Sequence, residues 1–87
     1  MRFVTGIFPA TAAYATVPYP TGFTKDNCSI ISLECKVSNN WRSGMGINDD
    51  LFKRLFVELG STNVQVYNNS TNLYGVTFRV TLKKIPT

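Results

Sequence analysis

Eighty-seven residues and 9.7 kDa hold one hydrophobic core, because two halves of such a chain would each bury too little apolar surface to fold unaided; a two-domain enzyme is thereby excluded. With 44% hydrophobic, 13% aromatic and only 16% charged residues, the chain is too apolar to stay disordered. The net charge of +4 permits attraction to polyanions, yet the nine cations are scattered from Arg2 to Lys84 and only Lys53-Arg54 and Lys83-Lys84 are adjacent, a pattern of solvated surface.

Arg2 to Phe8 is a β-type run stopped by Pro9. Ala10 to Val17 alternates, with Tyr14 and Thr16 on one face and Ala13, Ala15 and Val17 on the other; both runs predict strands, the second at a sheet edge. Pro18-Tyr19-Pro20-Thr21-Gly22 predicts a rigid extended segment ending in a turn, since each proline fixes its own φ and biases the preceding residue away from helix. The cleanest period-two pattern runs from Asn27 to Ser38. It puts Ile31, Leu33, Cys35 and Val37 on one face and Ser32, Glu34, Lys36 and Ser38 on a wet one. Asn39-Asn40 opens a turn and Ser43 to Asp50 a loop, with Trp41 and Arg42 between them.

Two readings compete for the next segment. Leu51, Phe52, Leu55, Phe56 and Leu59 form a helical stripe, with Asn48 or Asp49 as N-cap and Gly60 past the end; Leu55, Val57 and Leu59 also alternate with Arg54, Phe56 and Glu58 as a strand. A strand from Lys53 to Leu59 agrees better with its surroundings. Ser61-Thr62-Asn63 is a turn, Val64 to Tyr67 a short strand with Val64 and Val66 inward, and Asn68 to Asn72 a polar loop. The last strand, Val76 to Ile85, turns Val76, Phe78, Val80 and Leu82 inward and Thr77, Arg79, Thr81 and Lys83 outward.

Short strands spaced about ten residues apart and punctuated by Asn, Gly and Pro predict an all-β fold: a small antiparallel β-sandwich, jelly-roll-like, or a barrel. The chain forms one domain over 1–87, of which residues 1–9 also admit a reading as the end of a preceding shaft or linker. The inward residues make a thin core for a lone domain, so burial between copies is physically attractive. Phe52, Phe56 and Ile85 fall on the wet side of the pattern and are the candidate subunit interface.

Chemistry is scarce. There is no histidine, which removes the commonest general base and metal ligand, and no catalytic residue, cofactor or metal site is assigned. Cys28 and Cys35, seven apart in one extended strand, would lie more than about 20 Å apart on opposite faces, beyond disulfide reach; both read as small buried hydrophobes. Gly44-Met45-Gly46 lacks the third glycine of a dinucleotide loop, because Asp49 stands in its place. Asp26 and the Asp49-Asp50 pair lack the alternation of an EF-hand. Glu34 and Glu58, weighed as a glycosidase pair, sit on wet faces where pKa perturbation is not expected. The N-terminal apolar stretch is interrupted by Thr5, Gly6, Pro9 and Thr11 and is not assigned as a secretory signal, and no window approaches the roughly 20 apolar residues of a membrane helix.

Two stretches carry a resemblance. Tyr19-Pro20-Thr21-Gly22-Phe23-Thr24-Lys25-Asp26-Asn27-Cys28, followed by Ile30-Ile31-Ser32-Leu33-Glu34, and the ending from Val64-Gln65-Val66-Tyr67 through Leu73-Tyr74-Gly75 to Ile85, are similar to segments of the distal head domains of fibre or appendage proteins of bacteriophages and prophages of Gram-positive hosts. The similarity spans about residues 7–85. It implies a non-enzymatic, trimeric virion domain, made in the bacterial cytoplasm, that attaches to a host cell-wall glycan or other surface polysaccharide and contacts other virion proteins. The long repetitive stalk of such fibres has no counterpart here.

Sugar recognition needs flat rings for the C–H faces of a pyranose and fixed amides or charges for its hydroxyls, and Trp41, Arg42, Tyr67, Asn68, Asn69, Asn72 and Tyr74 are the candidate ligand-binding residues of that kind. One alternative is a small basic β-barrel that binds single-stranded nucleic acid through Arg79, Lys83, Thr77 and Thr81 with Tyr67 as a stacking ring. Two cations on that face argue against nucleic acid as a partner. Another alternative is a virion assembly part without a ligand.

Overall fold

The computed structural model describes residues 1–11, 13–43, 55–68 and 73–85. Among them are seven strands: β1 (Arg2–Ile7), β2 (Ala13–Pro18), β3 (Cys28–Val37), β4 (Asn40–Ser43), β5 (Leu55–Leu59), β6 (Asn63–Asn68) and β7 (Thr77–Lys84). All pairings are antiparallel, in two sheets. Sheet A has the order β1-β7-β3-β4 and sheet B the order β2-β6-β5. The fold is the expected all-β, two-sheet antiparallel sandwich.

Alternation decides which face each strand buries. Sheet B turns in Ala15, Val17, Val64 and Val66, with Leu55, Val57 and Leu59 half-buried beside them. Sheet A answers with Val4, Leu33, Cys35, Phe78, Val80 and Leu82. Phe8 stacks on Phe78 at 4.6 Å between ring centroids, and its backbone is held where the N–H donates to Val76 O at 3.0 Å and the carbonyl accepts from Gly75 N–H at 3.1 Å. The segment 1–9, weighed as part of a shaft, thus contributes an edge strand and a core residue to the sandwich. Segment 55–59 is a strand, as its period-two pattern predicts.

Five expectations are corrected. Ser38 and Asn39 both take positive φ, 52° and 66°, the geometry of a two-residue type I′ hairpin turn, so Trp41 and Arg42 belong to strand β4 and not to a connection between loops. The register between β3 and β7 shifts between Ile30 and Ser32, which is a β-bulge. The extra residue leaves Ile31 at 40% exposure instead of inward. By resetting the alternation it also turns Cys28 and Cys35 both into the core, not onto opposite faces. Finally, Asn68 is the last residue of β6 and fully buried, not the first of a polar loop, and Thr81 on the outward face of β7 is buried between its neighbours β1 and β3.

Both cysteines are free. Burial raises the Cys28 thiol and pushes Cys35 up to about 12, from an ordinary value near 9. Because the folded value lies above the unfolded one, this contribution to stability is complete below pH 9 and is lost as pH rises from there towards 12, at a slope of about 1.4 kcal/mol per pH unit. Native protein at pH 8 is expected to leave Cys35 unmodified by a thiol reagent over hours, whereas the urea-unfolded chain reacts within minutes; labelling followed by mass spectrometry checks this.

Candidate functional site

The register of sheet B builds a surface that no single strand reveals. Tyr14 of β2 pairs with Tyr67 of β6, and Tyr67 with Phe56 of β5, so three aromatic residues stand in one row on the outer face. Their rings converge: Tyr14–Tyr67 centroids are 5.1 Å apart, Phe56–Tyr67 5.2 Å and Tyr14–Phe56 6.0 Å. Phe56 and Tyr67 stack at 24°, while Tyr14 meets Phe56 nearly edge-on at 81°, the offset and T-shaped arrangements that ring quadrupoles favour. Tyr14 and Phe56 nevertheless remain 47% and 46% exposed.

The next row on the same face is polar. Two residues along each strand, Thr16 pairs with Gln65 and Gln65 with Glu58, about 7 Å from the rings. A hydroxyl, an amide and a carboxylate therefore flank an apolar platform on a rigid three-stranded support. Among the described residues of this face, Glu58 is the only charged one.

Sheet A presents a different outer face. Arg79 Nε donates to Glu34 Oε1 at 2.8 Å, and the guanidinium carbon lies 4.1 Å from the centroid of the Trp41 ring and 5.2 Å from that of Phe3. These contacts follow from pairing, since Arg79 faces Glu34 on β3 and Thr5 on β1. Each cation–π contact at a partly exposed site of this kind is worth on the order of 1 kcal/mol. Together they hold the arginine in a stack and cover one face of the tryptophan.

The predicted site residues are thus dispersed. Trp41 lies on the outer face of sheet A under Arg79, and Arg42 is exposed beside it on β4. Tyr67 lies on the outer face of sheet B, in the ring cluster. Asn68 points into the core at 0% exposure and so offers no amide to a surface ligand. Tyr74 is half-buried in the turn before β7. Asn69 and Asn72 lie outside the described residues, as do Gly44-Met45-Gly46, Asp49, Asp50 and the interface candidate Phe52. Of the other two interface candidates, Phe56 belongs to the ring cluster and Ile85 is 44% exposed.

The constellation weighed for nucleic acid is not assembled. Arg79 is engaged by Glu34 and two rings, Thr81 is buried, and Tyr67 is on the other sheet. Glu34 and Glu58 likewise stand on different sheets and do not face each other. Among the described residues no group of three or more His, Cys, Asp or Glu side chains is brought together, and no helix is long and apolar enough to cross a membrane. The stretch Tyr19–Cys28 forms a pinned loop. Gly22, at φ 85°, occupies the turn closed by Phe23 N–H to Pro20 O at 2.9 Å, and Asn27 Oδ1 accepts from Thr24 N–H at 2.7 Å while its Nδ2 donates to Gly22 O at 3.0 Å.

Sequence reasoning missed Tyr14, Thr16, Glu58 and Gln65 as site residues. Each was legible as outward-facing, but joining them requires knowing that β2, β6 and β5 are neighbours in that order. Set beside known proteins, the chain matches no family model, no curated protein and no solved structure, so its candidate site stands on geometry.

Proposed function

We propose that this domain is a non-enzymatic binding module that holds a glycan against the outer face of sheet B, in keeping with the host-attachment role implied by its resemblance to phage fibre heads. The observation that carries the reading is the packed triad Tyr14–Tyr67–Phe56 with the Thr16–Gln65–Glu58 row beside it. Rings accept the C–H face of a pyranose, and the polar row supplies an amide and a hydroxyl that donate and accept, with a carboxylate that accepts. The strands fix the backbone positions of all six residues, and the three rings pack on one another, before a ligand arrives, which limits the ordering entropy of binding. Polynucleotide fits this face less well, because its phosphates would meet Glu58 and no described cation.

Titration of the ¹⁵N-labelled protein with neutral cello- and chito-oligosaccharides is expected to shift amide signals of residues 14–16, 56–58 and 65–67. Tyr14→Ala is expected to weaken binding about tenfold, the cost of truncating an aromatic anchor. Signals that stay unmoved by the saccharides, or that move instead with a single-stranded oligonucleotide and lose the effect steeply with salt, would refute the reading.

A further inference from the structure

Among the described residues, four strands end the two sheets: β1 and β4 in sheet A, β2 and β5 in sheet B. An edge strand invites a further strand unless something discourages it. Strand β4 is only four residues long and carries Arg42, β2 ends on Pro18, and β5 carries Glu58. Strand β1 carries its one charge, Arg2, at its first residue and is unguarded beyond it. From Phe3 to Ile7 it holds neither a charge nor a proline, and its register with β7 is unbroken, so no bulge bends it away. Its outer side chains stand in water, Phe3 at 61% and Ile7 at 65%, with Thr5 exposed between them.

We propose that β1 is a self-pairing edge, through which two copies of this chain join antiparallel about a two-fold axis at Thr5 and continue sheet A across both. The sequence around Thr5 is self-complementary in that register. Phe3 faces the partner's Ile7, Thr5 faces the partner's Thr5, and on the inner side Val4 faces the partner's Gly6. Aromatic–β-branched and Thr–Thr pairs are among the favourable cross-strand neighbours, and the two-fold axis supplies the Phe–Ile pair twice. Centring the axis on Val4 or Gly6 instead sets Phe3 or Ile7, respectively, against a threonine.

Charge also suits this register. Each copy carries +4, but Arg2 falls opposite the partner's Phe8, so the two arginines stand about 20 Å apart along the interface, beyond the roughly 8 Å screening length of physiological salt. The unpaired N–H and C=O groups of β1 then find partners in the second copy. The interface uses neither Phe56 nor Ile85, and it leaves the ring cluster of sheet B open.

Light scattering after size exclusion is expected to return twice the 9.7 kDa of one chain. Ile7→Lys is expected to weaken self-association on the order of tenfold or more, because it removes both Phe–Ile pairs. Since Ile7 is exposed and paired only with Thr77 in its own chain, circular dichroism should stay unchanged. Thr5→Cys places two thiols opposite each other across the axis, so oxidation or a short bis-maleimide should give a covalent dimer, whereas Thr16→Cys on sheet B should not. Native Cys28 and Cys35 are buried and do not compete. A wild-type monomer, a trimer, a dimer that survives Ile7→Lys, or a dimer in which Thr5→Cys stays uncrosslinked would overturn the proposal.

Discussion

Phe78→Ala is expected to cost about 3–5 kcal/mol, the largest loss from any single truncation in this sandwich. The ring is fully buried, stacks on Phe8 at 4.6 Å, and stands on β7 between Gly6 of β1 and Cys35 of β3. It thus fills space shared by three strands and the Phe8 segment, and none of these can close the cavity without breaking its own ladder. Small domains have only about 5–15 kcal/mol in total, and for 60–100 residues each kcal/mol moves the melting temperature by about 4–8 °C. A fall of at least about 12 °C, or an unfolded protein at room temperature, is the expected result in thermal and urea melts. Phe3→Ala is the control: within one chain the ring, at 61% exposure, contributes a cation–π contact to Arg79 and little burial, so at protein concentrations where the chain is a monomer its loss should stay near 1 kcal/mol or below. Equal effects of the two substitutions would mean that the core is not organised around Phe78.

Gly6→Val is the second large effect, by the opposite mechanism. A Cβ at Gly6 would fall 2.7 Å from Phe78 Cζ and 2.9 Å from Val17 Cγ1, closer than packed carbons approach. Glycine is there because β1 passes over the fully buried Phe78 and against Val17 of β2, at the junction of the two sheets. Phe78 has no room to turn aside, so the clash must be relieved by moving β1. Overpacking of this kind costs about 1–3 kcal/mol, and the branched side chain should fall at the upper end, about 3 kcal/mol in urea melts. Gly6→Ala should lose less, because alanine adds one methyl and gains strand propensity over glycine. An unchanged Gly6→Val midpoint would show that β1 and β2 do not meet as closely as described.

The two outer faces of the sandwich have different characters, and this separates the two proposals experimentally. On sheet A, Trp41 and Arg79 occupy each other, and the two most exposed apolar side chains of its strands, Phe3 and Ile7, lie on the β1 edge. On sheet B the rings occupy one another only in part and sit beside hydrogen-bonding groups. Ile7→Lys should therefore change association without changing saccharide binding, and Tyr14→Ala the reverse.

The alternation of apolar and polar residues was enough to place most strands and their buried faces. Val64 and Val66 inward, Phe78, Val80 and Leu82 inward, and Tyr14 and Phe56 outward all follow from a period of two, because a strand has only two faces and one of them must leave water. The same rule misplaced Cys28 and Ile31. One extra residue in β3 shifts the phase, and a bulge is a property of how β3 lies on β7, not of either strand alone. It also missed β4, since four residues are too few to show a period, and the positive φ of Ser38 and Asn39 that turns the chain back carries no glycine to announce it.

Strand order was beyond reach of the sequence, and the candidate site depends on it. Tyr14, Phe56 and Tyr67 are far apart along the chain and become neighbours only because β6 lies between β2 and β5; Trp41 and Tyr67, equally plausible companions by composition, end on different sheets. Local composition dictates which side of a strand meets water, because that is settled by each residue and its nearest neighbours. Which strands share a sheet is settled by long-range packing of the whole core, and only the tertiary structure expresses it.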